Sequence, residues 1–584
     1  MENSLDFRSH HILYRDSQLL LNPAESFIGF RALEVTGQSG WTFRTLSRPF
    51  LRINCRPRPE LEDSAPDRYV QGADGVKLTT SFYAPDVLRF EFDCTEAREL
   101  FVGPACDFKN FGGVLEQEFL ICWGHGANQE AKSHGIRMEH TDMAGVLATG
   151  SLVPEGTHSG SKLKLPAGKT VLALAVGPLE SVAKLGPLAE EAIRTSHDAE
   201  NLEFWKTRTQ KLPECSDAER AKAVEAIWAI ESSNNSPSGV LTGSCLASCV
   251  TALWRNMFLW DTCFSVLGYR NVNAPLCQEW LQNFIDLKRP GTMPLSACIA
   301  NEGAGEETQV PIFSWAAHSL YRTTGDREFL AAAFRTGKES NDWWIEQADD
   351  TCGGLPKTQA ISYDNSPIYD RCRIDGGMME TERTVNPDIV AALVVDCDEL
   401  IAMATELGDT AAVDELRDRR RFLAEKAHEH LWDADREYYF SKLNGESILV
   451  KVGPALNSIV FAPEAIAKQL ADTYVRPGSP AWPVHGIATV LADEPSYEPQ
   501  NYWRGMIWGS TNRLLIDALD RRGLTSHADL LARETIDLFV NNSSFYEVIS
   551  PETGRGQRGT HYNGFGTGVY LDLLERETHR GDRS

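Results

Sequence analysis

No run of 18 consecutive apolar residues occurs anywhere in the 584-residue chain, so no segment reads as a membrane-spanning helix. Cys-x-x-Cys pairs are absent too. The 13 cysteines, an odd number, run from Cys55 to Cys397 without regular spacing, which speaks against a zinc knuckle or a disulfide framework. Cationic excess is also missing: 57 basic residues face 82 acidic ones, for a formal charge of −25. Such a field repels nucleic-acid backbones and anionic lipid, so neither nucleic acid nor membrane is expected as a partner. The opening MENSLDFRSHHILYRD has no basic n-region and no apolar h-region. These absences together describe a reduced, cytoplasmic protein that needs no metal and no organic cofactor, and whose partner is a small-molecule or oligosaccharide ligand.

What is present changes texture along the chain. From about residue 25 to 180, runs such as Val87-Leu-Arg-Phe-Glu-Phe-Asp93 and Thr170-Val-Leu-Ala-Leu-Ala-Val176 alternate with glycines and prolines, the pattern of antiparallel strands in a β-sandwich. Pro187–Lys211 and Asp217–Ser232 then read as amphipathic helices, and Ser233-Asn-Asn-Ser-Pro-Ser-Gly239 breaks the second. The expected organisation is an N-terminal β-sandwich over 1–180, a helical linker over 181–239 and a helical catalytic domain over 240–584.

In the last of these, one phrase recurs. Leu320–Gly325-Asp326, Ala402–Gly408-Asp409 and Ala518–Gly523-Leu-Thr525 each read as an apolar helix ended by a C′ glycine, with Asp or Thr as N-cap of the next helix. An aromatic-rich inner helix followed by a charged outer one, about six times between Trp254 and Leu574, closes into an (α/α)6 toroid. The expected fold is thus mainly α, a toroid preceded by a sandwich. Its long connections, Leu287–Thr308, Cys352–Asn386, Tyr474–Asn501 and Asn541–Asn563, would line a central cavity.

Several of these connections and helix ends set aromatic rings beside carboxylates or amides, which suits a sugar: C–H faces stack on rings while hydroxyls need fixed polar partners. The candidate contacts are Phe258, Trp260, Asp261, Gln309, Tyr363, Asn365, Tyr502, Trp503, Arg504, Trp508, Tyr546 and His561. Some have plainer alternatives. Asp261 is open to pairing with Arg255 or Arg504 as well as to ligand binding, and Trp315 reads as core. Glycosyl hydrolysis needs one carboxyl as proton donor and a second that attacks or activates water. Asp364 and Glu547, each flanked by tyrosine on a long connection, are the best-placed pair, with Asp370, Asp375, Glu380, Glu382 and Asp388 as competitors.

The strings Phe-Leu-Trp260-Asp261-Thr-Cys-Phe, Gln309-Val-Pro-Ile-Phe-Ser-Trp315-Ala, Asp364-Asn-Ser-Pro-Ile-Tyr-Asp370, Tyr502-Trp503-Arg504-Gly-Met-Ile-Trp508 and Phe-Tyr-Glu547-Val-Ile-Ser-Pro-Glu-Thr-Gly together resemble glycoside hydrolase family 63 and its relatives: processing α-glucosidase, trehalase, and the mannosylglycerate and glucosylglycerate hydrolases. The resemblance covers most of residues 250–570. It implies an inverting exo-α-glycosidase, α-glucosidase-like, with Asp364 as general acid and Glu547 as general base. One segment departs from that pattern, reading Gln359-Ala-Ile-Ser-Tyr363 where family members commonly carry Glu-Ser-Gly. Other readings on the same barrel are a trehalase-like or α-L-rhamnosidase-like hydrolase, an epimerase or lyase using His318, His485 or His561, and a non-hydrolytic carbohydrate-binding protein.

Overall fold

The computed structural model describes residues 12–13, 19–22, 27–30, 48–55, 60–65, 68–73, 75–84, 87–104, 119–123, 143–148, 150, 152, 155–157, 160–178, 182–235, 241–246, 257–287, 296–299, 303–359, 363–374, 381–556 and 564–581. The chain divides into two compact units. One is Met1–Lys211 with Glu231–Ser236 and Cys249–Arg255; the other is Leu212–Ile230 with Pro237–Ser248 and Asn256–Ser584.

The first unit holds two seven-stranded sheets. Both expected strands are present, as Val87–Cys94 and Gly168–Pro178. They pair antiparallel, with Leu88 opposite Leu174 and Phe90 opposite Leu172, all four buried. The opposite face of the same sheet presents Ala173 and Ala175 to helix α1 (Val182–Arg194), which answers with Leu185, Ala189 and Ala192. The stretch read as one helix from Pro187 is therefore two, α1 and α2 (Asp198–Thr209). Pro187 lies inside α1 rather than at its start, because Leu185 on the preceding turn belongs to the face that packs on the sheet. Of the residues read as linker, α1 and α2 lie in the first unit, while α3 (Asp217–Ser233) lies in the second as far as Ile230.

The second unit is mainly helical, built from α3 together with α4 (Leu259–Tyr269), α5 (Ala274–Asp286), α6 (Phe313–Thr324), α7 (Arg327–Glu346), α8 (Pro387–Leu407), α9 (Thr410–Leu431), α10 (Glu464–Tyr474), α11 (Gly509–Arg521), α12 (Thr525–Val540) and α13 (Gly564–Gly581), with a 3₁₀ segment over Gly453–Val460. Two hairpin turns match the expectation: Gly325 and Gly408 cap α6 and α8 at φ 69° and 80°, and Asp326 and Asp409 accept the first amides of α7 and α9. The third differs. Leu524, not Thr525, is the N-cap of α12, and no side-chain cap bond forms there, because Leu524 N–H turns back to Leu519 and brings the next helix in one residue early.

The helices pack in a cycle: α4 touches α6, α6 touches α8, α8 touches Gly453–Val460, that segment touches α11, α11 touches α13, and α13 returns to α4. All eleven residues of α4 are buried. Helices α5, α7, α9, α10 and α12 lie against members of this cycle, and α9 carries the expected charged face. α13 is flanked by α3 as well as by α12: Tyr570 Oη donates to the Glu219 carbonyl at 2.9 Å, and Arg533 of α12 pairs with the Glu219 carboxylate at 2.7 Å. Where α4 meets α13, a Cβ on Gly268 would overlap the carbonyl oxygen of Gly568, and one on Gly568 the carbonyl of Phe264.

The inner layer also contains charge. Asp396 on α8 accepts from Asn341 Nδ2 at 2.7 Å, and burial pushes its carboxyl up to about 7. Glu399, one turn on, is held low despite burial by His318 and Arg521. The eight cysteines whose side chains are described are free, seven of them buried. Among the described residues no helix is long and apolar enough to cross a membrane.

Replacing Gly268 by alanine should force α4 and α13 apart and lower the melting midpoint by at least about 5 °C, an overpacking cost of a few kcal/mol; calorimetry reads it. Asp396 gives a pH-dependent counterpart. Its folded pKa lies above the unfolded value near 3.9, so the native state holds the extra proton between about pH 4 and 7 and loses stability as pH rises through that window. Asp396→Asn should abolish roughly 2–4 kcal/mol of that loss, seen as a smaller fall in melting midpoint from pH 5 to pH 8.

Candidate active site

The cycle of helices presents several N-termini near one another, and the candidate residues gather there: Trp260 and Asp261 open α4, Asp388 opens α8, Trp508 precedes α11 and Phe565 opens α13. Asp364 sits in a turn, as its Asp-Asn-Ser-Pro context requires, with Ser366 N–H donating to the Tyr363 carbonyl at 2.9 Å and Pro367–Tyr369 forming a short 3₁₀ turn. Asn365 ties this turn to another. Its Oδ1 accepts from Trp503 N–H at 2.9 Å and its Nδ2 donates to Asn501 Oδ1 at 3.1 Å. Arg504 adds a fork: Nη1 and Nη2 each reach Asp370 at 3.0 Å, and Nε reaches Glu498 at 2.8 Å. The planar guanidinium thereby fixes the direction of both turns. The alternative that Arg504 neutralises Asp261 is thus corrected, since the arginine is engaged by Asp370 and Glu498.

Tyr502, within the second turn, has φ 48°, a left-handed conformation costly for a residue with a large side chain. Its hydroxyl donates to Glu547 Oε1 at 2.7 Å. Burial first, then the charges of Glu547, Asp364 and Asp261, push that phenol well above its usual range. Three carboxyls therefore share one hydroxyl as neighbour. Asp364 itself is pushed up by burial, opposed by the charge of Arg373, whose Nη2 lies 3.4 Å from the Asp364 carbonyl. A carboxyl in this setting keeps its proton above the ordinary carboxylate range.

Glu547 lies on a loop after α12. Ile549, two residues on, exchanges hydrogen bonds with Ile507 at 2.8 and 3.0 Å. Around these acids stands an aromatic wall: Trp503 and Trp508 stack at 3.9 Å and 16°, Tyr363 lies 4.6 Å from Trp503, and Trp260 lies 6.2 Å from Trp503 and 5.6 Å from Phe565. The indole N–H groups of Trp503 and Trp508 are buried and have no hydrogen-bond partner among the described residues. Gln309 Oε1 accepts the backbone N–H of Trp260 at 3.3 Å. Beneath Tyr363, the fully buried Asp388 is pushed up to about 6 by desolvation. It interacts with the Tyr363 hydroxyl, although neither Tyr363 Oη nor Asp388 Oδ2 has a partner in full hydrogen-bond geometry.

Phe258 is the buried N-cap of α4, next to the wall. Tyr546 turns into its own loop, its hydroxyl 3.3 Å from Ser543 Oγ and its ring against Gly556. His561, Asp375, Glu380 and Arg255 lie outside the described residues. The other competing acids have separate partners: Asp370 binds Arg504, and Glu382 accepts from Asn444 Nδ2 at 3.5 Å. His318 and His485 are bonded to Glu399 and Glu534 at 2.6 and 3.0 Å. Sequence reasoning did not select Phe565, Asn501 or Glu498. For Phe565 the signal was only its place at the start of the last helix, and for the other two it was nearness to Tyr502.

A family model described as the mannosylglycerate hydrolase MGH1-like glycoside hydrolase domain matches residues 255–563. The mannosylglycerate hydrolase of Thermus thermophilus is 28% identical over 139 residues, 23% of this chain and 33% of that protein. Mannosylglycerate hydrolase MGH1 of Selaginella moellendorffii is 32% identical over 75 residues, 13% of this chain and 15% of that protein. The matched stretch therefore spans a third or less of either relative. Among solved structures, a GH63 mannosylglycerate hydrolase from Thermus thermophilus in complex with glucose aligns with a TM-score of 0.52 at 21% identity, over 61% of this chain and 99% of that one. An uncharacterized conserved protein from the same organism aligns with a TM-score of 0.52 at 22% identity, over 61% and 100%. At such identities the likeness is one of fold.

Tyr502→Phe keeps the ring and removes the bond to Glu547. If that bond orients a group that acts in the reaction, turnover on an accepted glycoside should fall by roughly 10- to 100-fold with little change in KM; steady-state kinetics checks it.

Proposed function

The chain belongs to the mannosylglycerate hydrolase MGH1-like family of glycoside hydrolases, and from that premise we propose that it is an inverting, exo-acting α-glycosidase with Asp364 as general acid and Glu547 as general base. One observation carries the reading: a single hydroxyl, that of the half-buried Tyr502, bonds to Glu547 and feels the charge of Asp364, so two acids remote in sequence serve one small volume. The cycle of packed helices supports an (α/α)6 toroid around it, with α3 completing the outer layer beside α13.

In this mechanism the two carboxyls do different work because their surroundings differ. Asp364, desolvated, holds a proton and delivers it to the glycosidic oxygen as the C–O bond breaks. Glu547, ionised and oriented by Tyr502, takes a proton from a water that attacks the anomeric carbon on the opposite face. Inversion follows, and it requires the carboxyls to stand about 6.5–9.5 Å apart so that the water fits. Attack is taken to be exo, with one terminal hexose meeting the acids in front of the buried aromatic wall. The leaving group departs on the side of Asp364, where Arg373 is a fixed cation, so an α-glucoside or α-mannoside of a small acid such as glycerate fits better than a neutral disaccharide.

Incubation with α-mannosylglycerate, α-glucosylglycerate, trehalose and an aryl α-glucoside, followed by proton NMR, should show β-anomeric sugar released first from one of the glycerate conjugates. Release of α-anomer would overturn the mechanism. Asp364→Asn and Glu547→Gln should each lower turnover by about 10³-fold or more, since general acid–base catalysis commonly contributes 10²–10⁴. The alkaline limb of kcat/KM belongs to Asp364: the rate falls as pH rises through its elevated pKa, because the donor must be protonated.

A further inference from the structure

Helix α3 carries a lysine where an outer helix has no need of one. Lys222 is 6% exposed, and lysines are almost never so buried unless paired. Its Nζ makes three contacts. One is to Glu225 Oε2 at 2.9 Å, a turn along the same helix; one is to the Asn542 carbonyl at 2.9 Å; and one is to the face of Phe545, 4.5 Å from the ring centroid. Burial pushes the ammonium's pKa down and that of the Glu225 carboxyl up, and the contact between them opposes both shifts.

Both remaining contacts fall on the loop that carries Glu547. Asn542 closes that loop on itself: its Oδ1 accepts from Gly556 N–H at 2.7 Å, and its Nδ2 donates to the carbonyls of Gly554 and Leu538 at 2.8 and 2.7 Å. Phe545, fully buried, packs against Phe539 and Tyr570 at 5.3 and 5.6 Å. Two residues later Glu547 accepts from Tyr502. An ammonium with three donors therefore grips the loop at its entry and at the ring just before the acid. We infer that Lys222 is a positioning residue for Glu547, acting through Asn542 and Phe545, with Glu225 as its counterion. The inference rests on Glu547 being the base.

The test compares the full-length wild type with Lys222→Met/Glu225→Gln, which removes the cation without stranding a buried carboxylate, and with Lys222→Arg, which keeps a charge and donors. The double variant should lose about 10- to 100-fold in kcat with KM within about twofold, and Lys222→Arg should recover part of it. Hydrogen exchange should accelerate across 541–556, the Gly556 amide included, and not in α4, α6 or α8. Should the double variant not fold, Lys222→Gln/Glu225→Gln takes its place with the same readouts. Wild-type kcat in a folded variant, or faster exchange spread evenly over all helices, overturns the inference. If the wild type itself hydrolyses no glycoside, the proposed function fails, yet exchange over 541–556 still decides whether Lys222 holds the loop: unchanged protection overturns the clamp.

Discussion

The second unit depends on one close approach, that of α4 to α13 at Gly268 and Gly568. Helix axes usually stand 8–10 Å apart, with the distance set by the side chains between them, and here there are none at the crossing. Trp260 and Phe565, at the N-terminal ends of these two helices, are brought to 5.6 Å as a result. Trp260 in turn contacts Trp503 and Trp508, and Trp503 carries Asn365 and hence the turn of Asp364. A side chain at either glycine would widen the wall before it reached any acid.

Charge is distributed inside this layer by a simple contrast. Glu399 is buried but is hydrogen-bonded to His318 and paired with Arg521, so its ionised form is favoured and it holds helices together. Asp364 is half-buried at its turn, and desolvation outweighs what its own backbone amide and Arg373 give back, so its neutral form is favoured. Both are desolvated acids, and the compensation around each decides which protonation form is favoured. Asp388 and Asp396, pushed up to about 6 and 7, show that an elevated carboxyl alone does not mark catalysis. Asp396 accepts from Asn341 and Asp388 interacts with Tyr363, away from the hydroxyl of Tyr502.

Features written in local chemistry were legible from the sequence. Gly325-Asp326 and Gly408-Asp409 behave as read because the left-handed cap and the side-chain acceptor involve only neighbouring backbone. The strands at Val87 and Thr170 were legible through their apolar texture. The break between α1 and α2 was not, since Thr195-Ser-His197 contains neither glycine nor proline and the start of α1 answers to the sheet it packs on. At the site, aromatics beside carboxylates drew attention to the right strings, and the structure brings Trp260, Asp261, Asp364, Tyr502, Trp503, Trp508 and Glu547 together. The partners of Arg504 were misjudged because Asp370 and Asp261 are equally plausible until the chain is folded. Lys222 was illegible for the same reason, its partner lying 320 residues away.

Tyr502 joins two demands that pull toward different amino acids. Its backbone at φ 48° is one that glycine or asparagine adopts with least strain, while its task of donating to Glu547 across the width of a ring needs a phenol. No other standard residue meets both, so the position has no neutral neighbours in sequence space. Variation around the bonded pair is therefore easier in the neighbouring connections than at this turn.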